Sequence, residues 1–265
     1  MKKYLVVGDP IKHSFSPTLH NYWFKKNNIS AIYEKRKISE KDIKDTVTQI
    51  RNNQINGINI TVPFKKVVAK YVDELSSLSQ QTQSVNTVYK KENKIIGDNT
   101  DIDGFKLSLS HIKYNISDKK IFVLGAGGVV PSIILSLKKM GASKIFISNR
   151  TKQKAEDLKK LYPDIEIIEW GEFKNFDMII NATSLGLNAK DKFEIDFSKL
   201  GSNKLYYDII YNPPKTNFLL NGEKQKNKIE NGKMMFVFQA QLAFKIWHGI
   251  TPKIDNEVLK LLNHD

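Results

Sequence analysis

The feature that most constrains this chain is a short apolar strand that runs straight into glycines. Lys120–Leu124 reads as a buried strand, Gly125-Ala126-Gly127-Gly128 follows with no spacer, and an apolar helical stretch covers 132–140. Such a turn lets backbone come close to a pyrophosphate, and the free N–H groups at the start of the helix favour an anion. The usual third glycine would fall at position 130, where this chain has Val130. Pro131 sits where a first-turn residue can lack its N–H at little cost. On this motif alone, a glycine turn without a ligand stays open. The surrounding pattern narrows the fold: strand-like runs at 144–148, 177–180 and 204–209 alternate with a helical one at 152–161. Alternation of this kind makes a parallel sheet with helices on both faces.

The next strand carries a second signal. Dinucleotide sites for NAD normally place a carboxylate about 20 residues beyond the glycines, where it takes the ribose hydroxyls. Here that position reads Ser148-Asn149-Arg150-Thr151, with Lys154 one turn on and no acid in place. Arg150 is one of only three arginines, against 39 lysines. A forked cation beside small donors suits a 2′-phosphate, so the expected cofactor is NADP rather than NAD. The expected cofactor residues are Gly125, Ala126, Gly127, Gly128, Val129, Asn149, Arg150, Thr151 and Lys154. The bland alternative is a solvated helix start capped by Asn149 or Thr151.

Composition removes several other classes. There is no cysteine among the 265 residues, which excludes disulfides and thiolate chemistry and fits a reducing compartment. No apolar run approaches the roughly 20 residues of a membrane span, and the basic N-terminus precedes too short an apolar run for a signal peptide. A cytoplasmic protein is expected, with no membrane partner. The net charge of +14 could suggest nucleic acid, but the arginine shortage and the even scatter of lysines argue against it. No metal is expected, because His13, His20, His111, His248 and His264 show no ligand spacing with carboxylates.

The first hundred residues hold the other concentration of chemistry. Strands are expected at 4–7, 31–38 and 57–62, helices from Ser16-Pro17 (with Ser16 as N-cap) and over 39–51, and a hairpin around Lys91-Glu92-Asn93. Asn59-Ile60-Thr61-Val62-Pro63-Phe64-Lys65, Ser84-Val85-Asn86-Thr87 and Gly97-Asp98-Asn99-Thr100-Asp101 crowd small polar groups at strand ends. Hydride exchange at a secondary alcohol needs a proton donor and acceptor on the same oxygen, and without cysteine a Lys or His is the natural one. Lys65 beside Asp101 is a workable pair. Taken alone, Lys65 could be one more surface lysine and Asp101 only an N-cap. The lysine-rich 221–231 stretch reads as a surface loop or frayed turn, and the chain from Gly232 on as helix.

Taken in order, these segments resemble the NADP-dependent shikimate dehydrogenase family nearly end to end. The resemblance rests on Gly8-Asp9-Pro10-Ile11-Lys12-His13-Ser14-Phe15-Ser16-Pro17 with His20-Asn21, on 59–65, Val85-Asn86-Thr87 and Asn99-Thr100-Asp101-x-x-Gly104. It continues through 125–128, Asn149-Arg150-Thr151, Asn181-Ala182-Thr183-Ser184-x-Gly186, 208–213 and 232–239. It implies a reversible NADPH-dependent reduction of 3-dehydroshikimate to shikimate, on the route to aromatic amino acids. Lys65 would be the acid/base and Asp101 its partner. Ser14 and Ser16 would hold the substrate carboxylate, Thr61, Asn86 and Gln239 the ring hydroxyls, and Tyr211 would close the pocket. Ile209 and Gly232 would border the nicotinamide. The implied architecture is two-domain α/β: an N-terminal α/β substrate domain (1–102 with 233–265) and a Rossmann-like doubly wound NADP domain (103–232), hinged near Asp101 and Gly232. A monomer or homodimer is expected. Val129-Val130-Pro131, Ser84 and Leu187 depart from the family pattern without removing a catalytic group. Quinate as substrate, NAD use, and a non-catalytic NADP-binding regulator are the rival readings.

Overall fold

Alternation along β1 (Lys2–Gly8) sets the architecture of the first half. Leu5 and Val7 face one layer of the core and Tyr4 the other, all of them buried. In a computed structural model, which describes residues 1–188, 190–191 and 193–262, the chain divides into two compact units. One is Met1–Gly104 with the chain from Val237 on, and the other is Phe105–Phe236.

The first unit is built on a mixed six-stranded sheet. After β1 come α1 (Ser16–Lys26), β2 (Ala31–Lys37), α2 (Ile43–Arg51), β3 (Gly57–Ile60), β4 (Glu74–Leu75), α3 (Ser77–Thr82), β5 (Thr87–Lys91) and β6 (Lys94–Asp98). The strand order is β2-β1-β3-β5-β6-β4; β2 and β3 flank β1 in parallel, while β5 runs antiparallel to both β3 and β6. The expected hairpin forms with Lys91 opposite Lys94. α2 buries Ile43, Val47 and Ile50 against Leu5, Ile58 and Ile60. Each such side chain contributes roughly 1.5–3 kcal/mol when fully buried. Ser16 is not the N-cap that the sequence suggested. It already lies inside α1, behind a cap position at Phe15 that offers no side-chain bond. Ser14 supplies the acceptor instead, its Oγ taking the Ser16 N–H at 3.3 Å.

The second unit is all parallel: β7 (Lys120–Leu124), α5 (Val130–Lys139), β8 (Lys144–Ser148), α6 (Lys152–Leu161), β9 (Glu166–Ile167), β10 (Met178–Asn181), β11 (Leu205–Asp208), α7 (Asn217–Lys224) and β12 (Lys228–Glu230) follow α4 (Asp101–His111). The order β12-β11-β10-β7-β8-β9 changes direction between β7 and β10, the doubly wound arrangement that the glycine turn implied. The 221–231 stretch is a correction: it holds the end of α7 and the edge strand β12, not a loop. Thr216 caps α7 by accepting the Leu219 N–H, Phe218 and Leu219 are buried, and Gly222 lies so close to the Tyr206 ring that a Cβ would come within 2.6 Å of it. Lysines on an outer helix face and an edge strand concealed that apolar side. The chain then enters α8 (Lys233–His248) and α9 (Asn256–Leu261). Among the described residues, no helix is long and apolar enough to cross a membrane.

The first unit carries an acid-sensitive core. His20 is fully buried in an aromatic cluster with Trp23, Phe24, Tyr33, Phe244 and Trp247, stacked on Tyr33 at 4.3 Å, and neither ring nitrogen has a hydrogen-bond partner. Burial first, and His248 second, push its pKa down to about 3; burial, with Lys2 nearby, pushes His248 down to about 4. Groups lowered on folding add stability that is full above their unfolded value and is lost as the pH falls through the folded one. His20 alone thus removes about 2 kcal/mol between pH 6.5 and 5. The urea midpoint of the parent is expected to drop over that range, and His20→Phe to flatten the decline. A His20→Phe profile as steep as the parent's would assign the effect to another group.

Candidate active site

Two strand ends and one helix start converge in the first unit. β3 ends at Ile60, and the chain turns through Thr61, whose N–H bonds the Val7 carbonyl at 3.0 Å, to a buried Phe64. Lys65 follows, its own carbonyl accepting the Val85 N–H at 2.8 Å, which ties its backbone to the segment before β5. Asp101 stands in the first turn of α4, where helix N–H groups favour a carboxylate. The Lys65 Nζ lies 2.6 Å from Asp101 Oδ2, with side-chain exposures of 10% and 6%. Every other ion pair among the described residues is far more exposed. Lys65 is also the one lysine that counts as buried there. Asp101 is therefore not simply a cap. Its other oxygen accepts from Asn86 Nδ2 at 2.9 Å.

Asn86 organises what surrounds the pair. Its Nδ2 also reaches Thr100 Oγ1 at 2.9 Å and Gln239 Oε1 at 3.5 Å, while its Oδ1 accepts from the Thr100 N–H at 2.8 Å and the Thr87 hydroxyl at 2.9 Å. Behind it, Asn59 Nδ2 bonds the Asn86 carbonyl and Thr87 Oγ1, and the Tyr33 hydroxyl donates to Asn59 Oδ1 at 2.7 Å. A fully satisfied buried network of this kind fixes the rotamers of the groups it presents. Gly104 brings α8 close, since a Cβ there would lie 2.8 Å from the Gln239 Cβ. Ser14 Oγ donates to Ser16 Oγ at 3.2 Å, beside the start of α1. Two of the three Lys65 N–H donors, and the Thr61 hydroxyl, have no partner among the described residues. The supporting residues Tyr33, Asn59, Thr87 and Thr100 were not singled out from sequence as site residues. Asn59, Thr87 and Thr100 lie at or beside a strand end, whereas Tyr33 sits inside β2.

The second unit presents the glycine turn. Gly125 has φ +111° and donates its N–H to the Ser148 carbonyl at 2.8 Å, so it suits only a residue without a Cβ. A Cβ there would meet the Ala182 carbonyl oxygen at 2.7 Å, whereas at Gly127 nothing would come closer than 3.9 Å. That is a close-packed first glycine followed by an open one, and Ala126, Gly128 and Val129 complete the turn into α5. Register places Leu124 beside Ser148, which sets Asn149, Arg150, Thr151 and Lys154 along the same carboxyl edge. Asn149 Nδ2 closes the turn on the Thr151 carbonyl at 2.8 Å. Thr151 holds the N-cap position of α6 without a side-chain cap bond. Arg150 and Lys154 are exposed and have no ion-pair partner among the described residues. This donor set fits a phosphorylated dinucleotide. Ile209 and Gly232 meet in the same unit, where a Cβ on Gly232 would run into the Ile209 carbonyl oxygen. Tyr211 also lies in this unit, stacked on Phe236 at 4.5 Å. His264 lies outside the described residues, among which no three His, Asp or Glu side chains group to hold a metal ion.

Comparison with known proteins decides the family. Residues 6–88 match the family described as shikimate dehydrogenase substrate binding domain, and residues 107–209 that described as shikimate / quinate 5-dehydrogenase. A protein of Pelagibacter ubique named shikimate dehydrogenase (NADP(+)) is 56% identical over 262 residues, covering 99% of each chain. The chain belongs to the shikimate dehydrogenase family. Among solved structures, the shikimate dehydrogenase of Aquifex aeolicus superposes with a TM-score of 0.92 at 32% identity, covering 100% of this chain and 98% of that one. The Thermus thermophilus shikimate 5-dehydrogenase, in complex with NADP(H) and shikimate, gives 0.88 at 26% identity, covering 96% and 95%. The family expected from the ordered segments is thereby established, and with it the two-domain α/β class.

Proposed function

We propose that this chain catalyses the reversible NADPH-dependent reduction of 3-dehydroshikimate to shikimate, with Lys65 as the acid/base and Asp101 as its partner. The observation that carries the reading is the buried 2.6 Å contact between Lys65 and Asp101. The dinucleotide supplies the hydride for the carbonyl carbon. In the reducing direction the Lys65 ammonium gives a proton to the carbonyl oxygen, and the amine takes it back in the reverse reaction. Asp101, held by Asn86, aims the nitrogen. Ser14 and Ser16 offer hydroxyls at the start of α1 for the substrate carboxylate, where the helix end favours an anion. Thr61, Asn86 and Gln239 read ring hydroxyls, and Tyr211 is assigned to the substrate by family resemblance. On this reading the first unit is the substrate domain and the second the NADP domain, with Gly125 to Val129 cradling the pyrophosphate and Arg150 and Lys154 taking the 2′-phosphate.

The Pelagibacter relative is named for NADP(+), and the Thermus structure holds NADP(H) and shikimate, in line with this assignment. A cytoplasmic location, and a monomer or homodimer, complete the proposal. Purified protein mixed with NADP⁺ or NAD⁺ and with shikimate or quinate, followed by absorbance of the reduced cofactor, tests it. Reduction of NADP⁺ by shikimate is expected. Quinate oxidation in preference to shikimate, or silence in all four mixtures, would contradict the assignment.

A further inference from the structure

One buried carboxyl outside the Lys65 cluster ties together two loops. Asp208 closes β11 and is fully buried. Its Oδ1 accepts from Asn181 Nδ2 and from the Ile210 N–H, each at 3.0 Å, and its Oδ2 accepts from the Thr216 hydroxyl at 2.5 Å. Asn181 is its register partner at the end of β10. The Asn181 Oδ1 accepts the Thr183 N–H and hydroxyl, and its Nδ2 also bonds the Leu185 carbonyl, so the turn after β10 is folded onto Asn181. Gly186 completes the junction, its missing Cβ facing Thr216 at 3.1 Å. Burial pushes the Asp208 carboxyl up to about 6, against the hydrogen bonds from Thr216, Ile210 and Asn181. At neutral pH it is therefore mostly ionised and can accept from all three donors.

The links continue to both sides within this unit. Ala182, next to Asn181, is the backbone against which Gly125 packs, and Ile210, bonded by Asp208, accepts the Gly232 N–H at 3.1 Å. Sheet order supplies the direction. The glycine turn follows β7, Arg150 follows β8 on one side, and β10 and β11 lie on the other. A dinucleotide with its pyrophosphate at β7 and its 2′-phosphate at β8 extends its other half over the loops after β10 and β11. We propose that Asp208 is a positioning residue that holds these two loops in register for the nicotinamide half of the cofactor, leaving the adenosine half to Arg150 and its neighbours. The proposal rests on the NADP-binding reading given above.

Calorimetric titration of the full chain with NADP⁺ and with adenosine 2′,5′-bisphosphate, which lacks the nicotinamide half, separates the two ends. For Asp208→Ala, the Kd for NADP⁺ is expected to rise tenfold or more, while that for the bisphosphate stays within twofold. Asp208→Asn should recover most of the loss, because its oxygen can still accept from Asn181 and Ile210 while its NH2 donates to Thr216. A merely structural role would weaken both ligands alike or neither, and either result overturns the proposal. Should Asp208→Ala fail to fold, Thr216→Val decides: selective weakening of NADP⁺ supports the proposal, and an unchanged ratio of the two ligands overturns it. A parent chain that binds neither ligand overturns the cofactor reading itself, and this inference with it.

Discussion

Alanine at position 65 is expected to cut kcat for shikimate oxidation by about 10²–10⁴-fold, the range that a positioned acid/base contributes. The KM for shikimate should move far less, because Ser14, Ser16, Thr61, Asn86 and Gln239 remain to bind it. The substitution has a structural side effect. It leaves Asp101 buried at 6% side-chain exposure with only Asn86 facing its charge, and stranding one partner of a buried pair costs about 3–5 kcal/mol. Lys65→Arg separates that effect from chemistry. A guanidinium keeps a cation next to Asp101 but does not give up its proton, so stability should largely return while turnover stays low. Steady-state assays of both variants, with melting curves alongside, check this. Either variant retaining a tenth or more of the parent kcat would remove Lys65 from the acid/base role.

What could be read from the sequence was mostly local. β7 and α6 have the expected bounds because each apolar run is closed by a turn residue or helix stop that acts within a few positions. α3 and β4 were not anticipated, since six- and two-residue elements leave no period to detect. The lysines of 221–231 point away from the core, so composition suggested a loop where Phe218, Leu219 and Gly222 anchor a helix. At the site, residue types were legible but their pairing was not derivable from spacing alone. Lys65 and Asp101 are 36 positions apart, and only the adjacency of β3, β5 and β6 brings their loops together. The same holds for Asn181 and Asp208, which look like ordinary strand ends until β10 and β11 pair. The orphaned ring of His20 had no sequence signature apart from its place in an apolar stripe.

Arg150→Ala is expected to raise the KM for NADP⁺ by about 10–100-fold while leaving that for NAD⁺ nearly unchanged, since hydrogen bonds to charged groups contribute about 1.5–3 kcal/mol. The side chain stands at the carboxyl end of β8, next to the strand that feeds the glycine turn, on a loop closed by Asn149 and Thr151. Its charge has no internal partner among the described residues, so it is not spent on holding the fold, and its removal should leave the melting temperature almost where it was. Exposure has a second consequence. The attraction is screened by salt, so the NADP⁺ advantage should narrow between low ionic strength and roughly 0.5 M, where the Debye length falls well below 10 Å. Lys154→Ala should give a smaller loss of the same kind, because an ammonium is a point charge without the guanidinium's fork. Initial rates with both cofactors at two salt concentrations test all of this. An NADP⁺/NAD⁺ ratio that Arg150→Ala leaves untouched would move the 2′-phosphate away from the β8 edge, and the dinucleotide orientation that places its other half over Asp208 would fall with it.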